Sequence, residues 1–128
     1  MINGIEHLAI ISKDTLKLKD WYQSMFGGEV VYDNGKGTYF LAFADKSMIE
    51  FIMSDLDNGT NELKTGGIRH IALGVSDDEF DTLVAKLKGE NVEVLTDVSV
   101  SAKGIKTFFF RDIDGNILHL IYRPTPLV

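Results

Sequence analysis

The chain has 128 residues, 45% of them hydrophobic and 25% charged, and 13 Lys and Arg against 19 Asp and Glu give a formal charge of −6. That length suits one compact domain able to bury its own core, and the lack of cysteine excludes disulfides, thiolate metal sites and a cysteine nucleophile. Negative charge with scattered basic residues argues against a nucleic-acid partner, and without a basic leader or any run near the ~18 apolar residues of a membrane span the expectation is a cytoplasmic protein with no membrane partner.

In chain order, the alternation of Gly4-Ile5-Glu6-His7-Leu8-Ala9-Ile10 predicts a strand near 3–11. Leu18, Trp21, Tyr22 and Met25 then follow helical spacing, stopped at Gly27-Gly28. Strands are expected near 29–33, 37–44 and 47–53, followed by a polar linker from Ser54 to Gly66. Gly67-Ile68-Arg69-His70-Ile71-Ala72-Leu73 opens a strand near 67–75. Phe80, Leu83, Val84 and Leu87 make the next helix, with Ser76 and Glu79 as a capping box and Gly89 as its stop. Strands near 91–96, 105–111 and 116–123 complete the chain. The last two are joined by Asp112-Ile113-Asp114-Gly115-Asn116, whose Asp-Gly and Asn suit the positive-φ positions of a tight turn. This acidic run is not a calcium loop, because Ile117 and Arg123 stand where an EF-hand needs glycine and glutamate.

The second half repeats the first. His7 matches His70 at a shift of 63, the helices match at 62, and Thr38-Tyr39-Phe40, Asp45 and Glu50 match Thr107-Phe108-Phe109, Asp114 and His119 at 69. The growing shift implies a short insertion around Thr96 to Lys103. The fold expected is therefore α+β, two tandem βαβββ modules. Module one covers 1–55, the linker 54–66 and module two 67–124, within one domain spanning 1–128.

All three histidines, His7, His70 and His119, stand in apolar strand sequence, and so does Glu50. Burying imidazole or carboxylate there needs a hydrogen-bond partner or a metal to offset desolvation. The repeat puts His7 and His70 at equivalent places in the first strands, and Glu50 and His119 at equivalent places in the last. A twofold relation between modules would let all four line one cleft. Ala9 and Ala72, two residues beyond the first-strand histidines, leave room there. Tyr39, Phe43, Phe108 and Phe110 read as core rather than pocket wall, and Arg111 and Arg123 as charges ending strands.

These motifs, together with Phe109-Phe110-Arg111-Asp112-Ile113-Asp114-Gly115-Asn116-Ile117-Leu118-His119-Leu120, resemble the vicinal oxygen chelate superfamily of glyoxalases, extradiol dioxygenases, fosfomycin-resistance transferases and bleomycin-binding proteins. The resemblance implies two α+β modules forming an incomplete barrel around a metal cleft, with metal ligands at His7, Glu50, His70 and His119. In the isomerases of that superfamily the last of these is usually a glutamate that moves a substrate proton, so His119 departs from the commonest pattern. Three imidazoles and a carboxylate suit one divalent transition metal, Zn, Ni, Co, Mn or Fe.

The resemblance thus implies a metal-dependent lyase or isomerase of glyoxalase type acting on a small-molecule substrate with adjacent oxygen functions. Glu50 is the first candidate for the catalytic base and His119 the second. A non-haem iron dioxygenase and a non-catalytic, ligand-sequestering protein are the alternatives. A homodimer is expected, because family members commonly cover their sheet edges and apolar faces with a second subunit.

Overall fold

The computed structural model describes residues 1–56, 63–64 and 66–128. It divides into two compact units, Met1–Gly59 and Thr60–Val128. Each is a strand, a helix and three further strands, which is the βαβββ order expected from the repeat. Most of the predicted linker, residues 57–62 and 65, lies outside the described residues.

In the first unit β1 (His7–Ser12) leads into α1 (Thr15–Phe26), followed by β2 (Glu29–Asp33), β3 (Tyr39–Ala42) and β4 (Met48–Met53). The helix starts where Asp14 accepts a hydrogen bond from the Lys17 amide at 3.0 Å, satisfying one of the amides that lack a helical partner. It stops at Gly27, whose φ of 76° takes the chain out of the helix while its N–H reaches the Gln23 carbonyl. Thr15, Leu18, Tyr22 and Met25 are buried. Trp21, expected in that stripe, sits at its edge, with its ring 5.3 Å from Tyr22 and 5.6 Å from Phe26.

The sheet order is β1-β4-β3-β2, with β1 and β4 parallel and the other pairs antiparallel. Alternation gives each strand two faces. Ile10, Leu41, Ile49 and Phe51 are buried on the helix side, where the Tyr22 and Phe51 rings meet edge to face at 5.3 Å. Full burial of each such side chain stabilises by about 1.5–3 kcal/mol. His7, Ala9, Phe40 and Glu50 occupy the opposite, open face.

The second unit repeats this plan with β5 (Ile71–Gly74), α2 (Asp77–Gly89), β6 (Val94–Val100), β7 (Lys106–Arg111) and β8 (Ile117–Tyr122), ordered β5-β8-β7-β6. Phe80, Val84 and Leu87 of α2 are buried, as are Phe108, Phe110, Leu118 and Leu120 of the sheet. The extra residues of this half enter β6 and its turn, and the β6–β7 pairing slips between Val94 and Thr96 and again between Thr96 and Ser99.

Three local expectations are corrected. The Ser76 side chain makes no capping bond; the Ser76 carbonyl instead accepts from the Glu79 and Phe80 amides, and Asp77, Asp78 and Glu79 place negative charge in the first turn. Gly89 is the last helical residue, and the left-handed step falls to Asn91 at φ 58°. In the β7–β8 turn Gly115 alone takes positive φ, at 92°. Asn116 contributes through side chain and backbone, donating from Nδ2 and N to the buried Asp112 carboxylate at 2.8 and 2.9 Å.

Candidate metal centre

Within the first unit, β1 and β4 pair so that Ala9 is opposite Glu50 and His7 opposite Met48. Odd-numbered β1 residues and even-numbered β4 residues share the open face, so the Glu50 carboxylate reaches diagonally across Ala9. Its Oε1 lies 3.4 Å from His7 Nε2, with the His7 side chain 36% and the Glu50 side chain 19% exposed. Two donors each about 2.1 Å from a shared tetrahedral ion stand roughly 3.4 Å apart, so this separation fits a common metal. On its other side the His7 ring donates Nδ1–H to Glu6 Oε1 at 2.9 Å, and its edge meets Phe40 at 5.2 Å.

The second unit places His70 just before β5 rather than within it. Ala72 is opposite His119, and the same diagonal brings the two imidazoles together with ring centroids 4.5 Å apart. Phe109, the β7 partner of His119, lies 4.4 Å from that ring and 5.5 Å from His70. His119 is 7% exposed, and its Nδ1 has no hydrogen-bond partner among the described residues. Burial first, then the neighbouring His70, Arg69 and Arg123, push its pKa down to about 4. His70 is lowered too, by burial and then by the Arg69 charge. His119 is therefore neutral near pH 7 and offers a lone pair, as metal ligation requires.

Each unit thus supplies one pair of the four predicted donors, while no group of three or more His, Cys, Asp or Glu side chains gathers among the described residues. The donor chemistry fits a divalent transition metal: His7 and Glu50 are spaced for one ion, and His119 is a buried ring with an unsatisfied nitrogen.

Several neighbours escaped the sequence reading. Phe40 and Phe109 border the histidines, whereas Phe108 and Phe110 are core as expected. The register of a strand paired with Glu50 or His119 carries that signal. Glu6 and Arg69, at equivalent places in the repeat, each touch Nδ1 of the following histidine. Arg111 is engaged by Glu93 at 3.1 Å and by the Gly115 carbonyl at 2.8 Å, consistent with a strand-end structural charge.

No helix among the described residues is long and apolar enough to cross a membrane. The chain is 26% identical over 121 residues to the fosfomycin resistance protein FosX of Listeria monocytogenes, covering 94% of this chain and 90% of the relative. It is 24% identical over 120 residues to the metallothiol transferase FosB of Staphylococcus epidermidis, covering 94% and 84%. Among solved structures, a mutant Listeria FosX complexed with Mn(II) and 1S,2S-dihydroxypropylphosphonic acid superposes with a TM-score of 0.75 at 24% identity, over 99% of this chain and 94% of that one. The family model matches residues 4–120, and the chain belongs to the Glyoxalase/Bleomycin resistance protein/Dioxygenase superfamily.

Proposed function

We propose that this chain is a divalent-metal-dependent enzyme acting on a small substrate with adjacent oxygen functions, with His7, Glu50, His70 and His119 as its metal donors. The observation that carries the reading is His119, a buried ring pushed down to a pKa of about 4, with an unpartnered nitrogen, against a second imidazole. A purely structural core histidine would have its nitrogens satisfied. When bound, the metal supplies Lewis acidity toward a substrate oxygen.

The chain's own groups divide the remaining work. His119, neutral at pH 7, serves as a lone-pair donor and not as an acid. Glu50, the one carboxylate of the set, is the group able to hold or accept a proton, on the carboxylate oxygen not turned to His7. Phe40 and Phe109 border the donors with apolar surface and limit water beside them. The relatives, a fosfomycin resistance protein and a metallothiol transferase, support attack of water or a thiol on an epoxide carbon of a phosphonate such as fosfomycin. In that step a C–O or C–S bond forms, the ring C–O bond breaks and the ring oxygen takes up the nucleophile's proton. A glyoxalase-type lyase or isomerase is the second reading, and Glu50 would have to carry its proton transfer because residue 119 is not a carboxylate.

The assembly proposed is a homodimer, since the open face of the first sheet leaves Ile11 and Tyr32 55% and 53% exposed.

Protein refolded with Zn, Ni, Co, Mn or Fe(II) should be assayed for metal content and then given fosfomycin with water or thiols, or the thiol adduct of an α-oxoaldehyde. Retention of close to one ion per chain and consumption of the phosphonate by phosphorus NMR are expected. Turnover of the thiol adduct alone would transfer the assignment to the isomerase reading. Failure to hold any of the five ions would end the metal proposal. In whichever assay turns over, Glu50→Gln should lower kcat by about 10²–10⁴-fold.

A further inference from the structure

Equivalent places in the repeat carry opposite charge. In the first unit Glu6 and Glu50 stand beside His7, at 2.9 and 3.4 Å. The matching places of the second unit hold Arg69 and His119, so a pair edged by carboxylates in one half answers to a pair edged by a guanidinium in the other. The Arg69 side chain is anchored. Its Nε donates to the Leu63 carbonyl at 2.7 Å, and its Cζ lies 5.3 Å from the centre of the Phe109 ring. That ring in turn lies 5.5 Å from the His70 ring and 4.4 Å from the His119 ring. Nη1 is 3.3 Å from His70 Nδ1, a contact that occupies at most one of its two N–H groups whichever way the imidazole is protonated. The other N–H of Nη1 and both of Nη2 have no partner among the described residues, and no carboxylate there pairs with Arg69. Acidic side chains outnumber basic ones in this chain, so an anchored arginine without one has its forked end open to a ligand.

We propose that Arg69 is a specificity-determining residue of the candidate centre, whose free Nη1–Nη2 end, laid on Phe109 beside His70 and His119, grips a phosphonate or carboxylate group of the small substrate at two points. The grip stands on the contacts of Arg69; only the claim that the gripped molecule is also the metal's substrate rests on the function proposed above. A planar guanidinium matches two oxygens of one oxyanion, and an aromatic face beneath it excludes water from one side. Because Arg69 and both imidazoles surround one ring, a molecule with its oxyanion on Arg69 has its adjoining atoms beside His70 and His119. Glu6 and Glu50 would repel the same group at the donors of the first unit, which assigns the charged end of the substrate to the second.

Arginine side-chain ¹H–¹⁵N spectra of the metal-free full chain, titrated with methylphosphonate and with acetate at pH 8 and fixed ionic strength, read occupancy at Arg69. A saturable shift of its guanidinium signals is expected with at least one probe, and the tighter of the two names the group. No shift with either, or an equal shift with uncharged dimethyl methylphosphonate, would overturn the proposal. Read from the backbone signals of Phe109 and His119, Arg69→Gln should weaken binding of the tighter probe by roughly tenfold or more. Arg69→Lys, a point charge without the fork, should weaken it as well, and undiminished binding there would overturn the two-point grip. Lys86→Gln removes equal charge from the exposed side of α2 and should leave the affinity unchanged. An equal loss in Lys86→Gln, or none in Arg69→Gln, would reduce the effect to general attraction by positive charge and overturn the assignment. If the anion binds while the protein holds none of the metals tested above, the proposed function falls and the grip stands; if a metal is held and neither anion binds, the grip alone falls.

Discussion

Glu50 is paired through its backbone with Ala9, yet its carboxylate lies 3.4 Å from Nε2 of His7, two residues earlier on the neighbouring strand. The diagonal passes over the smallest side chain that still shapes a strand. Ala72 occupies the same place beside His119. Filling either notch should separate the donors without disturbing the helix-side core. Ala9→Leu is expected to weaken Zn(II) binding roughly tenfold or more while the far-UV circular dichroism stays unchanged. Unaltered zinc affinity in that variant would count against the pairing as a metal site.

Acid should destabilise the metal-free protein through His119. The unfolded imidazole titrates near 6.5, whereas the folded one stays neutral down to about 4. Between those values the unfolded chain binds more protons, so stability is lost as the pH falls through that window, by on the order of 2 kcal/mol for this residue. His70, lowered in the same direction, adds to the effect. Urea unfolding at pH 7.5 and 5.0 should show His119→Leu gaining stability relative to wild type at the lower pH. An equal difference at both values would contradict the burial of a neutral ring.

The two helix starts make a matched test of capping. Asp14 accepts from the Lys17 amide, so Asp14→Ala should cost about 1 kcal/mol. Ser76 makes no side-chain cap bond, and Ser76→Ala should stay within about 0.5 kcal/mol of wild type. Denaturant midpoints decide between them. A larger loss at Ser76 would mean that its hydroxyl caps in solution.

Lys46 adopts φ 71° in the β3–β4 turn, where its amide donates to the Phe43 carbonyl at 2.9 Å. Gly115 holds the equivalent place in the β7–β8 turn, with its amide 3.1 Å from the Asp112 carbonyl. A side chain in the left-handed region costs about 1 kcal/mol or more, partly offset in a glycine variant by unfolded-state freedom. Lys46→Gly should therefore raise stability by about 0.5 kcal/mol and Tm by roughly 2 °C. A fall in Tm would show that the lysine side chain contributes more than its backbone strain costs.

A homodimer mass is expected by sedimentation equilibrium, and Ile11→Lys on the open sheet face should shift it toward monomer. A wild-type monomer would remove the dimer proposal. A dimer indifferent to Ile11→Lys would move the interface to another surface.

The βαβββ order was legible because the repeat is carried by apolar spacing and by histidines in strand sequence, features that survive without tertiary information. Strand ends were less so: β5 begins at Ile71, leaving His70 outside it, and β6 runs to Val100 because the insertion was absorbed as irregular pairing with β7. Asp14 was missed as a cap because its oxygen acts on an amide three residues away, which no hydrophobic period reports. Ser76 fitted the capping pattern, but a pattern does not fix a rotamer. The places of the four candidate donors in the repeat were readable, whereas the contacts of Glu6 and Arg69 were not, since which ring atom a flanking charge meets depends on side-chain torsions.

The parallel pairing of each unit's first and last strands also orders events in time. His7 and Glu50 lie about forty residues apart, while β2, β3 and β4 follow one another through short turns. Hairpins close short loops quickly, and bringing β1 beside β4 waits on the longest closure in the unit. The His7–Glu50 pair is therefore expected to form late in the unit's assembly, once the chain as far as Met53 is available. An ion that needs this pair cannot bind a half-made unit, and its uptake during refolding is a clock for that last docking.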